Sequence, residues 1–173
     1  MTYFFLCCVR VHRPPPRTPR FFDDPALRAM GLDIVRDLCA FYNGLPPYLK
    51  ATVSGVTLMN EPAHLRPLQR PEMVAWLADA VALFREGVVA PAEAAAADVA
   101  AGLPPPPPSY GDGVVPAPRL FVNFIETSMG YEDMVGFMLE EFTSAELASW
   151  AVLDVHHYLA WDPLARACTD TDA

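Results

Sequence analysis

The clearest hydrophobic pattern in the chain predicts a helix. Apolar side chains recur at spacings of three and four and form one stripe, made of Leu27, Met30, Ile34, Leu38 and Phe41. Asp24 is a typical N-cap, and Pro25 suits the first helical turn. The Asn43-Gly44 pair supplies a stop. We therefore predict a helix between Asp24 and Gly44 whose apolar stripe belongs to the core.

Three short and mostly apolar runs predict strands, at residues 53–58, 120–125 and 151–158. Such runs are typical of strands that are covered on both faces. Helical segments separate the runs, and this alternation implies parallel pairing with right-handed crossovers. Three strands are too few to close a barrel or to complete a doubly wound sheet. The pattern therefore predicts part of a larger α/β architecture.

The segments between the strands carry helix signals of their own. One helix is predicted from Pro71 to Glu86, closed by Gly87, and another from Tyr131 to Phe142. A short helix ending near Trp150 follows. Its start has the pattern of a capping box and a hydrophobic staple, with Thr143 and Glu146 forming the box and Phe142 and Leu147 the staple.

Composition divides the chain into segments. Residues 1–22 are basic and rich in proline and are predicted to be irregular. Residues 23–165 carry the strand and helix pattern, and residues 166–173 form a polar tail. Within the domain, residues 88–118 are rich in alanine and then proline. Because consecutive prolines favour extended polyproline geometry, this stretch is predicted to be a low-complexity insertion.

Charge and hydropathy exclude some classes of protein. The 12 basic and 21 acidic residues give a net charge of −9, whereas a nucleic-acid-binding protein needs a basic surface. No run of about 18 apolar residues is present, so no membrane-spanning helix is predicted. The apolar start has no basic region before it and no small-residue cleavage site after it, so we predict no signal peptide. The compartment stays open.

Polar residues that suit acid–base chemistry follow two of the predicted strands. Asn60 and Glu61 come directly after the first strand, and the third strand ends with His156, His157 and Tyr158. The carboxyl ends of parallel strands meet at one edge of a sheet, so these groups are expected to converge there. His156 and Tyr158 project to the same face, because side chains alternate along a strand. A glutamate among them suits general acid catalysis on a polyhydroxylated substrate.

These two motifs resemble a known family. The segment VSGVTLMNEPAHL resembles the fourth-strand motif of glycoside hydrolase family 5, in which a strand ends in Asn-Glu-Pro. The segment VLDVHHYLAWD is similar to the family's sixth-strand motif, which ends in His-x-Tyr, and VNFIE lies where the fifth strand falls. The similarity spans about residues 25–163 and is greatest to the exo-β-1,3-glucanase and cellulase branch.

The resemblance implies a partial (β/α)8 TIM barrel from a retaining β-glycosidase that needs no cofactor and no metal. It implies that Glu61 is the general acid/base and that Asn60 contacts the sugar 2-hydroxyl. It also places His156 and Tyr158 in the site, and Trp161 is a candidate sugar-stacking platform, although a tryptophan anchoring the strand end is an equal alternative. The expected partner is a β-glucan-like polysaccharide or oligosaccharide.

The pattern departs from the family in one important respect. The family's nucleophilic glutamate lies on a seventh strand, and no residue here matches it. Glu126 after the middle strand is the tempting substitute, but its family position does not correspond. A zinc site of His64, His156 and His157 lacks a recognised spacing. The alternative function is therefore a catalytically inactive fragment, or a carbohydrate-binding or interaction protein.

Overall fold

The computed structural model describes residues 21–60, 70–102, 114–125 and 130–156, together with a strand at residues 2–5. The elements in chain order are β1 (Thr2–Phe5), α1 (Pro25–Gly44), α2 (Pro47–Lys50), β2 (Val53–Thr57), α3 (Arg70–Phe84), a π-helical turn (Arg85–Val89), α4 (Ala90–Ala100), β3 (Arg119–Ile125), α5 (Tyr131–Glu141), α6 (Ser144–Ser149) and β4 (Ala151–His156).

The four strands form one parallel sheet in the order β1-β2-β3-β4. The β3–β4 ladder is the longest and runs in register from Leu120 opposite Ala151 to Ile125 opposite His156. The predicted α/β class, the three predicted strands and their parallel direction are thus confirmed. The prediction that residues 1–22 are irregular is wrong at Thr2–Phe5, because this β-prone segment adds a strand alongside β2.

The crossover helices form a single layer. Trp76 of α3 donates a hydrogen bond from its indole nitrogen to the Arg28 carbonyl of α1, at 3.1 Å. At the other end of α3, Phe84 packs on Trp150, with ring centroids 5.9 Å apart. The middle helix therefore contacts its neighbours on both sides, and sequential parallel strands with right-handed crossovers place all these helices on one face of the sheet.

The core lies between this helix layer and the sheet. Its most deeply buried large side chains come from both layers: Phe22, Phe84, Phe124, Leu120, Met134, Val35 and Val81. Phe124 of β3 meets Phe137 of α5 edge-on, with centroids 5.7 Å apart. Apolar residues of β3 that face the helices therefore anchor the sheet to the layer.

Helix α1 forms as predicted, but it buries a different face. The Asp24 carboxylate accepts a hydrogen bond from the Ala26 amide at 2.8 Å, which confirms the N-cap. The buried residues are Gly31, Val35, Cys39 and Tyr42, whereas Met30, Ile34 and Phe41 of the predicted core stripe are 46–59% exposed. A Cβ at Gly31 would lie 2.6 Å from the Phe21 ring and 3.1 Å from the Trp76 ring, so this face of α1 requires a glycine here. Small residues bring α1 against α3, and Met30, Ile34 and Phe41 turn outward, whereas Leu27 and Leu38 of the predicted stripe are half-buried.

The helix that begins at Arg70 does not end at Gly87, contrary to prediction. It continues through the π-helical turn at Arg85–Val89, whose last bond runs from the Ala90 amide to the Arg85 carbonyl, into α4. A Cβ at Gly87 would lie 2.9 Å from the Cys39 Cβ, so this glycine serves close packing against α1 and is no stop signal.

The predicted insertion at residues 88–118 is wrong over its first part. Val88 and Val89 belong to the core, and the alanine-rich stretch is helical to Ala100. Alanine is the best helix former, so an alanine run that follows an existing helix extends it. The proline run itself lies outside the described residues.

The capping box of α6 is present as predicted. The Thr143 hydroxyl accepts a hydrogen bond from the Glu146 amide, and the Glu146 carboxylate accepts one from the Thr143 amide at 2.8 Å. The same carboxylate accepts a hydrogen bond from Arg85 at 2.6 Å. Partial burial raises the pKa of Glu146, but the bonds from Arg85 and Thr143 outweigh it, and the pKa lies below its ordinary value of 4.5.

We predict that Glu146→Gln lowers the free energy of unfolding by about 1–2 kcal/mol at neutral pH, since the amide keeps the cap but loses the charged bond to Arg85. Because the pKa of Glu146 is lowered in the folded protein, the ionised carboxylate stabilises the fold above pH 4.5. This stabilisation is lost as the pH falls through the pKa of Glu146 in the folded protein. Urea unfolding of both proteins between about pH 7 and pH 3 should therefore show the difference shrinking in acid. Glu140→Gln, at an exposed site, is the control. A difference that grows in acid would contradict the prediction.

Of the cysteines, Cys39 lies in the described part and is buried against α3, where burial raises the pKa of its thiol. It is therefore an inert core residue. The other three lie outside the described residues.

Among the helices that the structure describes, none has the length and apolar character needed to cross a bilayer.

Candidate functional site

The candidate site lies at the carboxyl edge of the parallel sheet. β2 and β4 run in the same direction, with β3 between them, so Asn60 and His156 lie at the same edge. Two strand spacings separate β2 from β4, about 10 Å across the sheet. Asn60 is exposed just beyond the end of β2, and His156 is the last residue of β4. This is the common edge that the sequence predicted.

Several predicted site residues lie outside the described part of the chain. They are Glu61, Tyr158 and Trp161, together with the alternatives Glu126, His64 and His157. Their assignments stay predictions. The structure describes the strands that precede these residues along the chain.

A hydrogen-bonded cluster of three polar side chains, Asn123, Asp154 and His156, occupies this part of the sheet. The Asn123 amide nitrogen donates to Asp154 Oδ2 at 2.9 Å and lies 2.6 Å from His156 Nε2. His156 Nε2 and Asp154 Oδ2 are 3.3 Å apart. We call these three residues the Asn–Asp–His cluster.

Strand alternation places the cluster on the face away from the helices. Val122 and Phe124 belong to the core beneath the helix layer, so Asn123 between them points to the opposite face. The register pairs Asn123 with Asp154, and His156 lies two residues further along β4. The three side chains therefore share one face because β3 and β4 pair in parallel without a slip.

Burial within the cluster is graded. Asn123 is 3% exposed, whereas the side chains of His156 and Asp154 keep 27% and 35% of their surface exposed. Asn123 is thus a buried connector, and the carboxylate and imidazole reach solvent. A carboxylate and an imidazole held together in this way present both charge and directed hydrogen bonds to a polar ligand.

Sequence reasoning missed Asn123 and Asp154 as site residues. Asp154 is part of the Asp-x-His-His-Tyr motif, but the motif gave it no role. Asn123 interrupts the apolar run Leu120–Ile125, and a polar residue inside such a strand is the signal that was available. Its partners depend on the β3–β4 register, which the sequence does not specify.

The described residues contain no group of three or more His, Cys, Asp or Glu side chains placed to hold a metal ion. A cavity of about 590 Å3 opens at the amino end of β2 and β3, and its lining includes Lys50, Ser54, Arg119 and Ser149. This end is opposite to the cluster. In parallel α/β sheets the ligand site lies beyond the carboxyl ends of the strands, so we assign no function to this cavity.

Comparison with known proteins identifies no family: no protein-family model, no curated protein and no solved structure matches the chain. The resemblance to glycoside hydrolase family 5 stays a prediction from the two strand-end motifs and their spacing.

Proposed function

We propose that the chain carries the acid/base side of a retaining β-glycosidase site of the glycoside hydrolase family 5 type, within part of a (β/α)8 barrel, and that it binds β-glucan-like oligosaccharides. The observation that carries this proposal is the parallel arrangement of β2 and β4, which sets Asn60 and His156 at one edge. The motifs on which the resemblance rests end at this edge.

The sheet topology supports the barrel part of the proposal. In the order β1-β2-β3-β4 each strand lies beside the next one in sequence, with no point at which the order reverses. A doubly wound sheet has such a reversal, whereas a (β/α)8 barrel keeps sequential order around its circumference. The polar cluster lies on the face that would line the interior of a barrel.

In the proposed reaction Glu61 protonates the leaving glycosidic oxygen and later activates a water molecule as general base. Asn60 would hold the sugar 2-hydroxyl, and His156 and Tyr158 would orient the ring. Retention also requires a second carboxylate about 5 Å from the first, which attacks the anomeric carbon. The resemblance assigns no residue of this sequence to that role.

The second candidate function follows from that requirement. Without a second carboxylate the same edge would bind an oligosaccharide and leave its bonds intact. Asn60, Asp154 and His156 offer an amide, a carboxylate and an imidazole near solvent, and these groups suit pairs of sugar hydroxyls. The two functions share a ligand class and differ in turnover.

We predict that β-1,3- and β-1,4-linked gluco-oligosaccharides bind the chain and that His156→Ala weakens binding about tenfold, because loss of one partly buried hydrogen-bonding group costs about 1.4 kcal/mol. Isothermal titration calorimetry measures the affinity. Asn43→Ala, which removes an exposed amide on α1, is the matched control and should leave the affinity unchanged.

Hydrolysis of an aryl β-glucoside separates the two functions. We expect binding without turnover from this sequence by itself, since the nucleophile position is unassigned. Turnover that Glu61→Gln abolishes would instead establish the complete glycosidase and its acid/base. Absence of oligosaccharide binding in the folded protein would contradict both functions.

A further inference from the structure

The hydrogen bonds of the Asn–Asp–His cluster also determine the orientation of the Asn123 side-chain amide. Asp154, when ionised, can only accept hydrogen bonds, so the Asn123 side-chain atom 2.9 Å from its Oδ2 must be the amide nitrogen and not the oxygen. The orientation of the Asn123 amide is therefore set by a neighbour whose role is unambiguous.

That orientation indicates which ring nitrogen of His156 accepts a hydrogen bond. The same amide nitrogen lies 2.6 Å from His156 Nε2, and it carries two hydrogens, one for each acceptor. Two N–H groups cannot point at each other at this distance, so Nε2 must be the bare, accepting nitrogen. The competing arrangement, in which Nε2 donates to Asp154, has a longer separation of 3.3 Å.

We propose that Asn123 is a positioning residue that, oriented by Asp154, selects the tautomer of the neutral His156 ring with its proton on Nδ1. In an imidazole the nitrogen that accepts a hydrogen bond decides where the proton resides. Asn123 suits this task because it is 3% exposed, so water competes little for its hydrogens. The inference deepens the proposed function, because it specifies which hydrogen-bond donor His156 presents to an oligosaccharide.

Nuclear magnetic resonance of the full chain labelled with nitrogen-15 in histidine tests the tautomer directly. The chain has four histidines, and the spectrum of His156→Gln identifies the signals of His156. We expect the Nδ1–H tautomer in the wild-type protein at a pH where the histidine rings are neutral, which the same spectrum verifies. A neutral His156 ring in the Nε2–H tautomer overturns the proposal, whatever the oligosaccharide experiments show.

Asn123→Leu removes both amide hydrogens and keeps a similar volume. We expect His156 to change to the Nε2–H tautomer, because Nε2 can then donate to the Asp154 carboxylate 3.3 Å away. Asn43→Leu on α1 should not change the histidine spectrum. A variant that keeps the Nδ1–H tautomer overturns the proposal. If Asn123→Leu does not fold, Asp154→Leu, which frees the orientation of the Asn123 amide, should still give a mixture of tautomers.

A separate measurement keeps the inference distinct from the proposed function. If oligosaccharides bind, Asn123→Leu should weaken their binding about tenfold although Asn123 itself is buried. If no oligosaccharide binds the wild-type chain, the proposed function fails while the tautomer result still decides the role of Asn123. Unchanged oligosaccharide affinity together with a changed tautomer would show that the tautomer does not serve binding and would overturn that part of the proposal.

Discussion

Leu120→Ala is expected to lower the free energy of unfolding by about 2–5 kcal/mol. Leu120 is 0% exposed on β3, and its amide donates to the Trp150 carbonyl at 2.7 Å, so its side chain is held where sheet and helix layer meet. Removing it costs the transfer free energy of its methyl groups and leaves a cavity that a paired strand cannot collapse to fill. Because the total stability of a domain is about 5–15 kcal/mol, this loss is a large share.

Leu49→Ala provides the matched control for this prediction. Leu49 lies on α2 and is 38% exposed, so the same truncation should cost less than about 1 kcal/mol. Urea denaturation followed by circular dichroism measures both variants. Equal losses from the two substitutions would mean that the sheet does not pack as described.

Gly55→Ala is expected to lower the free energy of unfolding by about 1–3 kcal/mol through overpacking. Gly55 pairs with Arg119 in the β2–β3 ladder, and an added Cβ would collide with the ring of Phe121, two residues further along β3, and lie 3.1 Å from the Arg119 carbonyl oxygen. The ring occupies the space that a side chain at position 55 would fill. Alanine therefore forces the ring or the strand to move.

Gly136→Ala is expected to raise the free energy of unfolding, in contrast to Gly55→Ala. Gly136 lies inside α5, and nothing comes within 4 Å of a Cβ added there, so alanine should stabilise the helix by up to about 1 kcal/mol. Thermal and urea unfolding of the two glycine variants measure whether each one lowers or raises the free energy of unfolding. Pairing Gly55→Ala with Phe121→Leu should recover part of the loss, since the two sites are in contact. Two glycine variants with effects of the same sign would contradict the packing of β2 on β3.

Most of the helices and strands could be predicted from local sequence patterns. The N-cap at Asp24 and the capping box at Thr143 depend on side chains that bond their own neighbouring backbone, so they form wherever the sequence occurs. Local rules failed at Gly87, where the glycine was interpreted as a helix stop. It serves a contact with Cys39, which is 48 positions away and invisible to a local pattern.

The buried face of α1 shows a second limit of prediction from local sequence patterns. Periodicity identified an apolar stripe correctly as helical, yet the structure buries the neighbouring face with Gly31, Val35 and Cys39. Two adjacent faces of this helix are apolar enough to pack, and the choice depends on which one lets α3 approach. That choice is made by the shape of the partner, here the Trp76 ring beside Gly31.

Local sequence patterns were enough to predict that strands and helices alternate, that the strands run parallel, and that Asn60 and His156 lie at the same edge of the sheet. These features depend on short-range hydrophobic period, caps and chain direction. The fourth strand at Thr2–Phe5 and the cluster of Asn123, Asp154 and His156 could not be predicted from those patterns and were found in the folded structure. The physical reason is register: a shift of one residue between β3 and β4 would turn Asp154 to the other face, and register is set by packing across the whole sheet.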